Sequence, residues 1–176
     1  YRASYAARDD LGGGVARTLT HPLDYLRFLL GEVASLQSFS GHISALELSG
    51  VEDVAEIGLK FESGAIGGVH VNYFQRPPVH RLEIVGAAGT LRWDNADGTL
   101  VHIQMPDAFG AIHPQPAPAI ETEYKLPARF ERNDLFVAQT AHFLKVAAGE
   151  SAPICTLEDG VRALEMALAA RNPASS

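Results

Sequence analysis

The stretch that decides the fold runs from Leu11 to Gly31 and reads LGGGVARTLTHPLDYLRFLLG. A glycine triplet leads into a segment whose apolar residues recur at helical spacing. These residues form one stripe: Leu19, Leu23, Leu26 and Leu30. Proline is tolerated only in the first turn of a helix, so Pro22 predicts a helix that begins near His21 and ends at Gly31. Thr18 or Thr20 is expected to cap its start.

His21 and Asp24 stand three residues apart at the start of this predicted helix. Residues at positions i and i+3 share a helix face, so the imidazole and the carboxylate can point at one small volume. The positive end of the helix dipole disfavours imidazolium and favours a neutral ring that can take a proton. The pair therefore indicates a general acid or base with a carboxylate that orients it, and the alternative is a histidine that only caps the helix.

Composition and charge exclude several classes of protein. The chain has 176 residues, of which 47% are hydrophobic and 20% charged, as in ordinary globular domains. A net charge of -7 argues against a nucleic-acid surface, and no apolar run is long enough for a membrane helix. The single cysteine, Cys155, cannot form an internal disulfide, which predicts a reducing, cytoplasmic location and a packed thiol.

Strand patterns dominate the chain from Glu32 to Ile103. In the clearest strand, three apolar residues alternate with polar residues and glycine. These apolar residues are Ile57, Leu59 and Phe61. A tight turn at residues 62–64 leads into a second strand, and residues 81–93 form a hairpin around residues 86–89. Such short connections predict antiparallel pairing. The proline-rich segment from Met105 to Pro127 is predicted to be irregular.

Two further helices are predicted near the C-terminus. The first begins at Asn133 or Asp134, and its expected core residues are Phe136, Thr140, Phe143 and Leu144. The second runs from Thr156 to Arg171, and its expected core residues are Val161, Leu164, Met166 and Leu168. The fold class is therefore α+β, with a two-layer, mostly antiparallel β-sheet and helices packed on one face.

Other catalytic patterns are absent from the sequence. The seven histidines show neither H-x-x-x-H nor H-E-x-x-H spacing, so no metal site is predicted. The G-x-S-x-G turn of a serine hydrolase is also missing. The glycine triplet lacks the G-x-G-x-x-G spacing of a dinucleotide-binding loop.

The segment with Gly12–Gly14, His21-Pro22-Leu23-Asp24 and Gly31 resembles the signature that opens the second domain of the Gfo/Idh/MocA family of NAD(P)-dependent oxidoreductases. Further blocks resemble the family in the same order, so the likeness covers nearly the whole chain. They span residues 51–55, 61–65, 72–76, 82–86, 89–93, 132–134 and 157–165.

This resemblance implies a single substrate-binding and oligomerisation domain over residues 1–176. The family's N-terminal Rossmann domain, with its Glu-Lys-Pro lysine, is absent from this chain and would bind most of the NAD or NADP. The implied reaction transfers hydride to or from a hydroxyl carbon of a sugar, cyclitol or sugar derivative. The chain alone is then expected to be inactive, and the intact protein is expected to form homo-oligomers through the open face of its sheet.

The resemblance also implies roles for individual residues. His21 would be the catalytic acid or base and Asp24 its partner. Many relatives have an aspartate one turn before the histidine, where this chain has Arg17 or Thr18. The expected substrate-binding residues are Arg17, Thr18, Arg76, Arg2 and Tyr5, the last two as an edge that binds an anionic group. The alternative is a non-catalytic binding or oligomerisation module that has lost its active site.

Overall fold

The computed structural model describes residues 4–104 and 119–171. The chain divides into two compact units, the first made of residues 1–75 and 152–176 and the second of residues 76–151. The first unit contains α1 (Val15–Thr18), α2 (His21–Leu30), β1 (Val33–Gly41), β2 (Val54–Phe61), β3 (Ile66–Asn72) and a C-terminal helix, Leu157–Arg171. The second contains β4 (Arg81–Gly86), β5 (Gly89–Asp94), β6 (Thr99–Gln104), β7 (Ile120–Tyr124) and α3 (Arg132–Ala147). The C-terminal helix is α4.

The first unit is built on a three-stranded antiparallel sheet in the order β1-β2-β3. The predicted alternation along β2 is confirmed, because its inward residues Ile57, Leu59 and Phe61 are buried. Val69 and Val71 of β3 are buried on the same face. This sheet face therefore supplies the strand half of the core.

Helices cover that face and complete the core. Leu23 and Leu26 of α2 are buried, as the apolar stripe predicts, and Gly31 ends the helix. The expected core face of α4 is wrong in part: Met166 is buried, but Val161, Leu164 and Leu168 are exposed. The buried face instead carries Met166, Ala167 and Ala170. The small alanine side chains let α4 approach β1, where the Ser38 hydroxyl donates to the Ala170 carbonyl.

The outer face of the first sheet is open. Phe39 of β1 is 84% exposed and Ile66 of β3 is 81% exposed. Between them lie Gly58 and Gly68, paired across β2 and β3. A pair of large apolar side chains beside a smooth glycine patch is a surface suited to association.

The second unit is a four-stranded antiparallel sheet in the order β4-β5-β6-β7. The predicted hairpin is confirmed, with a tight turn between Gly86 and Gly89. Strand β7 lies within the segment predicted to be irregular, so that prediction is wrong for residues 120–124. These residues contain no proline and pair with β6 at the sheet edge. The rest of the proline-rich segment, residues 105–118, lies outside the described residues.

Helix α3 forms as predicted, and the Asp134 carboxylate accepts a hydrogen bond from the Glu131 backbone N–H at 2.9 Å. Its expected core face is wrong. Four residues expected in the core are exposed: Phe136, Thr140, Phe143 and Leu144. The physical reason is that the described part of this unit contains no buried residue, so no core exists there to receive them.

The α+β class with antiparallel pairing is confirmed, with the strands divided between two sheets rather than one. The packed thiol is not observed, because Cys155 is exposed. Among the described residues, no helix is both long enough and apolar enough to cross a membrane.

Candidate functional site

The glycine triplet packs against oxygen atoms of its own unit. A Cβ on Gly13 would lie 2.3 Å from the carbonyl oxygen of Tyr5. Gly14 has φ +111°, and a Cβ there would lie 2.5 Å from a carboxylate oxygen of Glu52. Carbonyl and carboxylate oxygens repel phosphate, so the triplet does not fit the pyrophosphate of a dinucleotide. Its glycines serve close packing at the start of α1.

Glu52 caps α1 from a distant part of the chain. Its side chain is 93% buried, and Oε1 accepts a hydrogen bond from the Ala16 backbone N–H at 3.1 Å. Its main-chain carbonyl accepts from Val15 N–H, also at 3.1 Å. Two of the N–H groups that begin the helix are thereby satisfied by one residue. Arg171 of α4 lies near the other carboxylate oxygen, with its Nε at 3.8 Å.

Arg17 on α1 belongs to an ionic cluster. Its Nη2 lies 2.8 Å from Oδ1 of Asp9, and the Nη2 of Arg171 lies 2.7 Å from the same oxygen. The hydrogen bond from Arg17, with Arg171 beside it, holds the pKa of the Asp9 carboxyl below its usual range. Within the described residues the Nε of Arg17 is buried without a hydrogen-bond partner. The Nη2 group of Arg17 is thus already paired with Asp9.

Thr18 ends α1 and uses its hydroxyl internally. The hydroxyl donates to the Gly14 carbonyl at 2.8 Å and also pairs with the hydroxyl of Tyr73. Because the Thr18 proton is directed at Gly14, the Thr18 oxygen accepts from Tyr73. The Tyr73 hydroxyl lies 3.4 Å from the Ala6 carbonyl, a longer second acceptor. A side chain just beyond β3 therefore holds the end of α1.

His21 and Asp24 both lie in the first turn of α2, as predicted, with Pro22 between them. The Thr20 carbonyl accepts hydrogen bonds from the N–H groups of Leu23 and Asp24 at 3.0 and 3.1 Å. The expected side-chain cap is not observed, because neither the Thr18 nor the Thr20 hydroxyl oxygen accepts a hydrogen bond from a backbone N–H at the start of α2. The His21 side chain is exposed and Asp24 is half-buried. Within the described ranges neither side chain makes a hydrogen bond or an ion pair.

The far end of α2 is fixed by Arg27. Its guanidinium lies 2.6 Å from the Glu32 carboxylate and 2.8 Å from the Asp159 carboxylate at the start of α4. Hydrogen bonds from Thr156 and from Arg27 hold the pKa of Asp159 well below its usual range. Helix α2 is thus tied to α4 by a half-buried cation between two anions.

Three predicted substrate-binding residues lie outside α1 and α2: Tyr5, Arg76 and Arg2. Tyr5 lies in a 3₁₀ turn, Tyr5–Ala7, and its side chain is exposed. Arg76 opens the second compact unit and is exposed. Arg2 lies outside the described residues. Arg17 and Thr18 lie on α1, and His21 and Asp24 lie in the first turn of α2, the next helix along the chain.

A groove with a volume of about 660 Å³ lies between the start of β1 and α4. Its charged lining consists of Arg27, Glu32, Glu62, Glu158, Arg162 and Glu165. In the part of the chain that the structure describes, none of the predicted site residues lines it. Both of its arginines are paired with carboxylates, so neither is free to bind an anionic ligand. In the same ranges no cluster of His, Cys, Asp and Glu could hold a metal ion.

Glu52 and Tyr73 were not among the predicted site residues. Both lie in blocks that carry the resemblance, residues 51–55 and 72–76. Two adjacent acidic residues directly before a buried strand are unusual, because charged groups are buried only with partners. That signal at Glu52 and Asp53 could have marked them. The bond from Tyr73 to Thr18 spans 55 residues, and local sequence pattern gives no sign of it.

An antiparallel sheet covered by helices, with a histidine and a carboxylate in the first turn of one helix, defines an α+β domain. Residues 2–92, just over half of the chain, match the GFO/IDH/MocA C-terminal domain. The chain belongs to this family.

Several known proteins are similar to the chain. A 1,5-anhydro-D-fructose reductase from Ensifer adhaerens is 31% identical over 163 residues, which are 92% of this chain and 45% of the reductase. The apo form of levoglucosan dehydrogenase shares the fold at a TM-score of 0.78 and 17% identity, covering 95% of this chain and 51% of that one. UDP-N-acetylglucosamine 3-dehydrogenase GnnA from Acidithiobacillus ferrooxidans shares the fold at a TM-score of 0.73 and 20% identity. That match covers 89% of this chain and 47% of the dehydrogenase. The chain thus spans about half the length of these proteins.

Proposed function

We propose that this chain is the substrate-binding domain of an NAD(P)-dependent oxidoreductase that acts on a hydroxyl carbon of a sugar, cyclitol or sugar derivative. The observation that carries the proposal is the exposed His21 ring with Asp24 on the first turn of a helix whose other end is tied down by Arg27. The similarity to a 1,5-anhydro-D-fructose reductase supports the substrate class. Structural relatives in complex with NADH or NAD support the cofactor class.

The chain itself would handle the proton of the reaction. Oxidation of a secondary alcohol removes a hydride from carbon and a proton from the hydroxyl, and NAD(P) supplies the hydride acceptor when bound. The His21 imidazole is free to accept the hydroxyl proton, and it returns the proton in the reverse direction. Asp24 would orient the ring or bind a neighbouring hydroxyl of the substrate. The glycine triplet does not fit a nucleotide, so NAD(P) would be bound mainly by the N-terminal domain that the family resemblance implies.

The test is His21→Ala in the protein with its nucleotide-binding domain. We expect kcat to fall by about 10²-fold or more, because a positioned acid or base contributes roughly that factor. His102→Ala, in β6 of the second unit, serves as the matched control and keeps its activity. Unchanged turnover in His21→Ala would remove this residue from the mechanism.

The alternative function is a binding or oligomerisation module without catalysis. The arginine or threonine in place of the family's aspartate favours it. Sequencing upstream of Tyr1 separates the two, because an enzyme requires a dinucleotide fingerprint and a Glu-Lys-Pro lysine there. Under either function the isolated chain should not reduce NAD(P).

We further propose that the protein self-associates through the open face of the β1-β2-β3 sheet. Phe39 and Ile66 on that face support it. Ultracentrifugation of Phe39→Glu should show a smaller species than the parent protein, since a charge there would be buried in the interface. If Phe39→Glu has the same mass in solution as the parent protein, the protein associates through another surface or not at all.

A further inference from the structure

We propose that Tyr73 and Glu52 are positioning residues that hold the two ends of α1 and thereby fix where His21 stands. This inference rests on the proposed function, because it assigns a role relative to His21. It adds two residues that the sequence pattern did not mark for the site. Both act through main-chain and side-chain contacts to α1, and neither touches substrate.

Tyr73 holds the C-terminal end of α1. Its hydroxyl donates to the Thr18 oxygen, whose own proton is directed at Gly14 at 2.8 Å. Thr18 therefore has its donor committed and its oxygen engaged. Only Leu19 and Thr20 separate this anchored residue from His21. Because the linking backbone is only two residues long, a displacement of the Thr18 backbone would also displace His21.

Glu52 holds the N-terminal end of α1. Its carboxylate is buried against Gly14 and accepts from Ala16 N–H at 3.1 Å. The Val15 N–H donates to the Glu52 main-chain carbonyl at 3.1 Å. Helix α1 has only four residues and no side-chain cap of its own. A helix this short is not stable on its own propensity, so its geometry depends on these outside contacts.

His21 needs such support because its ring has none of its own within the described residues. The position of the ring follows from the backbone that leads into α2. A catalytic group displaced by about 1 Å can lose on the order of 10²-fold in rate. The contacts of Glu52 and Tyr73, together with the Arg17–Asp9 ion pair, hold this backbone ahead of α2.

The main test is Tyr73→Phe in the enzyme that includes the nucleotide-binding domain. The change removes one hydroxyl and keeps the ring. We expect kcat to fall by about tenfold with KM nearly unchanged, as for a group that acts on the transition state only. Tyr124→Phe, in β7 of the second unit, is the matched control and keeps its kcat.

A double-mutant cycle with His21→Ala separates positioning from general stability. If Tyr73 acts through His21, Tyr73→Phe causes no further loss of kcat once His21 is gone. An equal loss in both backgrounds would overturn the inference and leave the proposed function intact. If His21→Ala itself has no effect, the proposed function fails. In that case a loss of kcat in Tyr73→Phe also overturns the positioning role.

Glu52 is tested with a graded pair of variants. Glu52→Gln keeps an oxygen that can accept from Ala16 N–H, so it should retain more kcat than Glu52→Ala, which leaves that donor buried and unpaired. Glu62→Gln, at an exposed site in the same unit, is the control. Amide hydrogen exchange over residues 15–21 gives a readout independent of turnover. Exchange should speed up in Tyr73→Phe and Glu52→Ala, and unchanged exchange in both would contradict the role.

Discussion

The two compact units of this chain use their apolar residues in opposite ways. In the part of the chain that the structure describes, every buried residue belongs to the first unit, residues 1–75 and 152–176. The second unit exposes the apolar side chains of α3, with Phe136 and Phe143 among them. The first unit therefore has a core of its own, and the second has apolar faces that nothing described in the structure covers.

The polar side chains differ in the same way. In the first unit they link distant parts of the chain, as with Glu52 to α1 and Arg27 to α4. In the second unit the described ion pairs are local, such as Arg81 with Asp94 and Arg92 with Glu83. Exposed local pairs contribute little to stability, whereas buried groups must be fully satisfied. His21 and Asp24, the proposed catalytic residues, lie in the unit that buries its polar side chains.

The largest expected effect is on the core of the first unit. Phe61→Ala removes a ring that is 1% exposed and should lower the free energy of unfolding by about 3–5 kcal/mol. The matched change in the second unit, Phe143→Ala, should stay within about 0.5 kcal/mol, because that ring is already in water. Urea unfolding measures both. Equal losses would show that α3 is buried and would end the contrast.

A smaller effect is expected at a buried carboxylate. Asp53 is fully buried and accepts from the N–H groups of Ile43 and Ser44 at 2.9 and 3.0 Å. Asp53→Asn turns an amide group toward one of these donors and should cost about 1–3 kcal/mol in unfolding free energy. The control Asp94→Asn, at a half-exposed pair in the second unit, should cost less than about 1 kcal/mol. A larger cost at Asp94 would reverse the comparison.

The smallest expected effect is the loss of folding stability at acidic pH. Burial raises the pKa of Asp53, but the Ser44 hydroxyl and the N–H groups of Ile43 and Ser44 outweigh it, so the pKa is lowered. The pKa of Asp159 is lowered too, by Thr156 and Arg27. A lowered folded-state pKa gives stability above the unfolded value of about 3.9, and that stability is lost as pH falls further.

Urea midpoints between pH 7 and pH 3 should therefore decline, most steeply below pH 4. The decline should be shallower in Asp159→Asn, which has no carboxylate to protonate at that position. A midpoint that stays constant from pH 7 to pH 3 in the parent chain would contradict the role assigned to these two groups.

The sequence predicted the elements whose signals are local. Pro22 and Gly31 bound α2, and the alternation along β2 identified the core face of the sheet. The sequence predictions were wrong where the buried face of a helix depends on which element packs against it. The periodicity of α4 marked Val161, Leu164 and Leu168, yet the face that packs on β1 carries Ala167 and Ala170. A stripe shows which side of a helix is apolar, and only the tertiary structure shows which side is covered.

The same limit applies to the site. The placement of His21 and Asp24 in the first turn of α2 was predictable from Pro22 and from their spacing of three residues, and their catalytic role stays a prediction. Glu52 reaches α1 across 36 residues and Tyr73 across 55, and local sequence pattern does not show which residues such side chains contact. Thr18 was predicted to bind substrate, and its hydroxyl is instead shared between Gly14 and Tyr73. A substrate role for Thr18 stays a prediction.

The close approach of Gly14 and Glu52 has a consequence for protein engineering. The carboxylate fills the space where a methyl group at position 14 would be, and the backbone there has a positive φ. Randomising the segment before the histidine, with position 52 left as it is, should therefore select glycine at position 14, because any other residue is strained there. A graft that moves residues 12–24 into another scaffold must bring the glutamate with it.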